Sequence, residues 1–191
     1  MTDKELVTEI SNGNQQVFRM FVEKYQLSVF KICNGFIHNK EDSEDILQEV
    51  FIDVYESIHK FREEAKLSTW LYRIAVNKSL NYLRKNRTMK NLKSMESLFT
   101  SDKNRLNYIE DNNMRPDENV EQRERARILY KAVNSLSTNQ RIAFVLNKYE
   151  DLAYKEISEI MNTSLSAVES LIHRAKTNLQ KKLFGYYKKK L

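Results

Sequence analysis

Only three glycines and one proline interrupt the 191 residues of this chain. Folds that reverse direction through many tight turns have almost nothing here to turn on. A β-sandwich or barrel is therefore unexpected. Gly13, Gly35 and Gly185 stand alone, so neither GxGxxG nor GxxxxGK exists and no phosphate-cradling glycine loop is expected. Collagen-like and Pro- or Gly-rich linker chains are excluded on the same count. What remains is a chain built from helices. The single Cys33 permits no internal disulfide and no cysteine-based zinc finger, and it fits a reducing compartment. The opening MTDKELVTEI is polar from its second residue, so no leader peptide is expected. The longest strictly apolar run, Ile142 to Leu146, is five residues, against the ~20 that a bilayer requires. The expectation is an all-α, cytoplasmic protein with no membrane insertion.

Net charge is +6, but it is unevenly spread. Residues 1–40 carry +1. Residues 41–64 hold nine acids and two bases, whereas residues 65–90 hold seven bases and no acid. Residues 91–125 carry −2 and residues 126–191 carry +7. A solvated helix usually mixes signs, so an acid-free tract suggests a surface that meets a polyanion, the plainer alternative being a soluble basic face.

Apolar spacing places helices along residues 1–90. Leu6, Val7 and Ile10 open a short one, broken at Asn12-Gly13-Asn14. Val17, Phe18, Phe21, Val22, Tyr25, Val29, Ile32, Cys33 and Phe36 form a second, in which Cys33 reads as a buried structural thiol. In EDSEDILQEVFIDVYESI one face is Ile46, Leu47, Val50, Phe51, Val54 and Ile58, and another is Asp45, Glu49, Asp53 and Glu56. Ser68 or Thr69 is placed to cap the next helix. It shows Trp70, Leu71, Ile74, Ala75 and Leu83 on one side and Arg73, Asn77, Asn81 and Arg84 on the other. Residues 91–125, with the lone Pro116, read as a flexible linker.

Helix resumes near Glu121, breaks at Ser137-Thr138-Asn139, and leads into a compact unit. YKEISEIM, a turn at Asn162-Thr163-Ser164, and LSAVESLIHRAKTNLQKKL have the form of a helix-turn-helix. Ile157, Ile160 and Met161 face Val168, Leu171 and Ile172, with Leu165 at the corner. Asn162 suits a left-handed helix end, and Ser164 or Ser166 suits the next cap. The second helix would present Ser166, Ala167, Glu169, Ser170, His173, Arg174 and Lys176. Arg174 and Lys176 suit phosphate or guanine, and the serines suit small polar contacts. An ordinary helical hairpin is the alternative, against which the +7 of the block argues. Asp45, Glu49 and Asp53 could in principle hold a metal, but no His stands beside them at ligand spacing. His38, His59 and His173 are scattered, so no metal site, cofactor, catalytic residue or enzymatic activity is expected.

Taken together, EDSEDILQEVF (41–51), Phe61, STWLYRIAVNKSLNYLRKNR (68–87) and the block 136–183 resemble, in order and spacing, the extracytoplasmic-function (ECF) sigma factors of the sigma-70 family. The resemblance implies two small helical domains joined by a flexible linker. They are a region 2 bundle (1–90), a linker (91–125) and a region 4 helix-turn-helix (126–191). It implies a subunit that binds core RNA polymerase and directs it to promoters. Asp45, Gln48, Glu49 and Asp53 would meet the β′ clamp helices, and region 4 would lie near the β flap. Phe61, Lys66, Ser68, Thr69, Arg73, Asn77 and Arg84, with Trp70 and Tyr72 alongside, would hold the opened promoter −10 region through stacking and basic contacts. Ser166, Ser170, His173, Arg174 and Lys176 would read the −35 duplex. An anti-sigma factor is an expected regulator. Leu136-Ser137 replaces the usual Leu-Pro, Asn162 the usual glycine, and Glu169 a common basic residue. A stand-alone helix-turn-helix regulator and a metal-dependent nuclease using Asp45, Glu49 and Asp53 are the competing classes.

Overall fold

A computed structural model describes residues 1–99 and 120–188. Its described residues form α1 (Asp3–Ser11), α2 (Gln15–Ile37), α3 (Lys40–Ser57), a 3-10 turn (Ile58–Lys60), α4 (Leu67–Phe99), α5 (Val120–Asn134), α6 (Thr138–Glu150), α7 (Tyr154–Met161) and α8 (Leu165–Lys188), with no strand among them. Polar side chains do the work that glycine does elsewhere. Thr2 and Glu5 exchange hydrogen bonds across the start of α1, at 3.2 and 2.8 Å. Asn14 accepts from the Val17 amide at 3.2 Å, Asn39 from Asp42 at 2.8 Å, and Ser164 from Ala167 at 3.2 Å. Three helices end on a left-handed non-glycine residue: His38 (φ 54), Asp151 (φ 49) and Asn162 (φ 49). Asn162 and Ser164 are the residues the sequence pattern singles out for those roles.

Two expectations about α4 change. The helix begins at Leu67, one residue before Ser68, and its first amide is capped from outside: Asp3 Oδ2 accepts from Leu67 N at 2.9 Å. Ser68 and Thr69 therefore lie inside the first turn. The helical backbone also continues past residue 90 to Phe99, across a stretch without Gly or Pro and with several strong helix formers. Residues 100–119 of the expected linker lie outside the described residues, and its last six, 120–125, are helical and belong to the start of α5.

The interior is organised around α2. Phe21, Val29, Ile32, Cys33 and Phe36 are at most 1% exposed, and they pack with Val50 and Val54 of α3 and Leu71 and Ala75 of α4. The same apolar cluster runs on into Val145 and Leu146 of α6, Ile157 of α7, and Val168 and Ile172 of α8. A smaller cluster joins Ala132, Val133 and Leu136 of α5 to Ala175 and Leu179 of α8. Burial raises the Cys33 thiol to about 11, only partly offset by its hydrogen bond to Ser79, so it is inert at neutral pH.

The N- and C-terminal helices thus share a seam. Gly35 makes it possible. A Cβ there would stand 2.8 Å from Val145 Cγ1 and 3.1 Å from the Tyr149 ring. Beside it, the His38 ring meets Tyr130 with centroids 4.6 Å apart, and Arg141 lies 5.9 Å from the Phe36 ring. Burial first, then the neighbouring Arg141 charge, lowers the His38 pKa to about 4.

Two outcomes follow from the seam. Gly35→Ala gains about 1 kcal/mol of helix propensity, yet must displace the stiff side chain of Val145. We expect a net loss of about 1–3 kcal/mol in urea unfolding, and a net gain would show that α6 does not press on Gly35. His38 stays neutral in the fold between pH 6.5 and 4 while the unfolded chain takes up a proton. Stability should therefore fall as pH drops through that window, by up to about 3 kcal/mol. Measured against His38→Asn, which keeps a residue tolerant of the left-handed cap, the difference in stability should become independent of pH above pH 7.

Candidate functional site

The acidic stripe of α3 is laid out as its spacing requires. Asp45, Gln48 and Glu49 are exposed and Asp53 is partly so. Part of the stripe is already answered from within. Lys78 of α4 reaches Asp53 Oδ2 at 3.0 Å and Glu49 Oε2 at 3.5 Å. Burial opposes the Lys78 charge, but the hydrogen bonds and charges of Asp53 and Glu49 outweigh it and raise its pKa. An ammonium group stands where a metal bound to these carboxylates would have to sit, so the stripe does not fit a metal centre. Among the described residues no group of three His, Cys, Asp or Glu converges as a metal site.

Alongside the stripe runs an open apolar groove of about 800 Å³ between α2 and α3, lined by Phe18, Val22, Leu47, Phe51, Ile52 and Tyr55, with Gln48 and Glu56 among its polar residues. Ile52 is 56% and Tyr55 43% exposed. The sequence reading left these two unassigned. Their signal was a pair of large apolar residues at i, i+3 falling off the core-facing series of α3.

The basic tract after α3 is less uniform than its charge suggests. The loop into α4 holds Glu63 at φ 56, a backbone state that an L-residue avoids unless its surroundings impose it. Phe61 packs on Trp70 with centroids 5.7 Å apart. Lys66, Asn77 and Arg84 are exposed and Ser68 is half-buried. Thr69 is 3% exposed and Tyr72 8%. Thr69 thus departs from its expected place on a DNA-facing surface, because its position in the first turn of α4 points it into the core. Arg73 also departs from a simple solvent-facing role. Its Nε donates to the Ile160 carbonyl at 3.2 Å, and an Nη donates to the Glu159 carbonyl. Lys66 lies 3.6 Å from Glu156 of the same short helix, α7. Arg73 and Asn77 line a polar cleft of about 710 Å³ shared with Asn139, Asn162 and Thr163.

On α8, Ser166, Ser170, His173, Arg174 and Lys176 are exposed, as is Glu169 in their midst. Val168, Ile172 and Ala175 bury the opposite side at no more than 1% exposure. One predicted contact differs: Leu165 does not plug the corner but is 48% exposed. It is the first residue of α8.

A seam of charge accompanies these surfaces. Lys31 of α2 lies 3.6 Å from Glu150, whose side chain is 6% exposed. His38 Nε2, Arg141 Nε and Glu150 Oε1 are buried without a hydrogen-bond partner among the described residues.

Comparison with known proteins assigns the two halves. The family model "Sigma-70 region 2" matches residues 21–88, and "Sigma-70, region 4" matches residues 126–179. The ECF RNA polymerase sigma-E factor of Haemophilus influenzae is 32% identical over 188 residues, covering 96% of both chains. The ECF RNA polymerase sigma factor SigW of Bacillus subtilis is 30% identical over 183 residues, covering 96% of this chain and 97% of its own. Among solved structures, CnrH in complex with the cytosolic domain of CnrY is similar in fold, with TM-score 0.68 and 21% identity over 96% of this chain and 97% of that one. The sigma factor RpoE of Bartonella quintana, in complex with the anti-sigma factor NepR, aligns with TM-score 0.62 and 20% identity over 87% of this chain and 96% of that one.

Proposed function

The chain belongs to the ECF sigma factors of the sigma-70 family, and on that premise we propose that it binds core RNA polymerase and directs it to specific promoters. The observation that carries this is the relation itself, which runs through both regions of one chain at nearly full length. A stand-alone helix-turn-helix regulator would leave the acidic stripe and its apolar groove without a task. The nuclease alternative is weakened by Lys78, which sits on two of the three carboxylates it needs. No helix among the described residues is long and apolar enough to cross a membrane, and a cytoplasmic site of action without enzymatic chemistry of its own fits the family.

The surfaces support a division of labour. Asp45, Gln48, Glu49 and Asp53 supply charge for the β′ clamp helices, and the neighbouring Ile52 and Tyr55 supply apolar area that gains free energy only when covered. Phe61, Lys66, Ser68, Arg73, Asn77 and Arg84 lie on or beside α4, where a separated strand needs cations for its phosphates and polar groups for its bases. Thr69 supports that surface from beneath. The exposed Ser166, Ser170, His173, Arg174 and Lys176 are suited to the −35 duplex, with region 4 near the β flap. Two solved neighbours are bound to other proteins, one of them the anti-sigma factor NepR. A dedicated inhibitory partner for this chain follows by analogy.

Transcription from promoters mapped after overexpression, reconstituted with purified core polymerase, tests the proposal directly: absence of initiation with a folded chain and active core would refute it. Glu49→Lys should weaken core binding by at least about tenfold, about 1.4 kcal/mol, because it reverses a charge in the stripe and sets a second cation beside Lys78. Arg174→Ala should leave core binding intact and weaken the cognate −35 duplex by about 1–3 kcal/mol, as read by fluorescence anisotropy of the holoenzyme.

A further inference from the structure

We infer that Asp3 is a positioning residue for promoter opening: from the first turn of α1 it holds the loop 61–66 and the start of α4 in the shape that meets the separated strand. This rests on the assignment of the α4 polar face to that strand. Asp3 acts through the Leu67 amide, not by touching DNA.

One helix staples the loop at both ends. Helix α1 packs against the 3-10 turn Ile58–Lys60, which leads into the loop. Its Asp3 carboxylate accepts from the Leu67 amide, just beyond the other end, at 2.9 Å. Amides in the first turn of a helix have no intrahelical partner, and this one is partly buried, so leaving it unmet is costly. The same carboxylate stands in the first turn of α1, where the exchange between Thr2 and Glu5 fixes the helix start. It therefore meets the positive ends of two helix dipoles at once.

The loop between those ends needs holding. FREEAK (61–66) contains neither Gly nor Pro, yet Glu63 takes φ 56. Such a state in a residue other than Gly, Asn or Asp persists where the surroundings over-determine it. The two anchors from α1, with Phe61 packed on Trp70 at 5.7 Å, are those surroundings. Phe61 and Lys66 lie in the loop and Ser68 in the first turn of α4. A ring, a cation and a hydroxyl are thus presented on one short, strained segment. Without the Asp3 anchor Glu63 relaxes, these groups lose their common arrangement, and the strand must restore it on binding. Core binding by the α3 stripe and duplex binding by α8 do not pass through this loop.

Asp3→Ala and Asp3→Asn remove the same charge, but only Asn keeps an acceptor for the Leu67 amide. Holoenzyme carrying each variant is titrated with the fluorescein-labelled non-template strand of a promoter mapped after overexpression, spanning its −10 region. Asp3→Ala should bind it about five- to tenfold more weakly than wild type, although loss of an acid favours binding to a polyanion. Asp3→Asn should stay within about twofold of wild type. Affinity for core polymerase and for the −35 duplex should be unchanged in both. Amide hydrogen exchange read by mass should quicken over residues 61–70 in Asp3→Ala and not in α3. Glu63→Asn, which accepts left-handed backbone more readily, should raise strand affinity more in the Asp3→Ala background than in wild type. Asn39→Ala removes a cap of the same kind from α3; it controls for lost stability and should leave strand affinity unchanged. With Asn77→Ala still lowering strand binding by the holoenzyme, any of four results overturns the inference: Asp3→Ala binds the strand like wild type, Asp3→Asn or Asn39→Ala falls as far as Asp3→Ala, exchange over 61–70 does not change, or Glu63→Asn acts equally in both backgrounds. If Asn77→Ala leaves strand binding unchanged as well, the assignment of the α4 face itself fails, and the inference falls with it.

Discussion

Everything in this molecule leans on the second half of α2. Val29, Ile32, Cys33 and Phe36 are fully buried because neighbours close on that helix from several sides: α3 and α4 from its own half of the chain, α6 from the other. A helix with a single apolar stripe buries one face. Here Gly35 opens a second face to close approach by α6, so one helix is the interior of the region 2 bundle and the floor on which region 4 rests. The acidic stripe, the α4 tract and the helix-turn-helix are positioned relative to one another through that shared floor.

Charge has two functions in this arrangement. Read along the chain, acids and bases alternate in blocks, as if each block faced a different partner. In three dimensions some of the charges face each other. Lys78 crosses from the basic tract to Glu49 and Asp53, Lys66 meets Glu156, Lys31 meets Glu150, and Arg73 spends its donors on carbonyls. Most of these pairs are partly exposed and individually weak. Their value lies less in stability than in register, since each joins one particular helix face to another.

The sequence was most legible where local chemistry decides the outcome. Asn162 in a left-handed end, Ser164 at a cap, the acidic stripe at i+4 spacing and the buried thiol all depend on a residue and its near neighbours, and all stand where periodicity put them. Legibility ended where a distant residue decides. Helix α4 starts at Leu67, whose amide is capped by Asp3, sixty-four residues away; Thr69, a candidate cap by local chemistry and a DNA contact by the resemblance, falls in the first turn and is buried. Arg73 sits on the expected polar face, but no pattern within α4 announces that α7 ends opposite it. Ile52 and Tyr55 were passed over because a stripe rule sorts residues into apolar core and polar solvent faces, and an exposed apolar pair belongs to neither.

The buried Cys33 carries one more consequence. With its thiol raised to about 11 by burial, only about one folded molecule in ten thousand holds a thiolate at pH 7, and in the folded state the residue is 0% exposed. Its alkylation therefore proceeds through excursions in which α2 leaves its packing. Because it is the chain's single cysteine, the rate of its modification is a built-in clock for how often the whole architecture comes apart, readable by mass in unmodified protein and against any partner that holds the helices together.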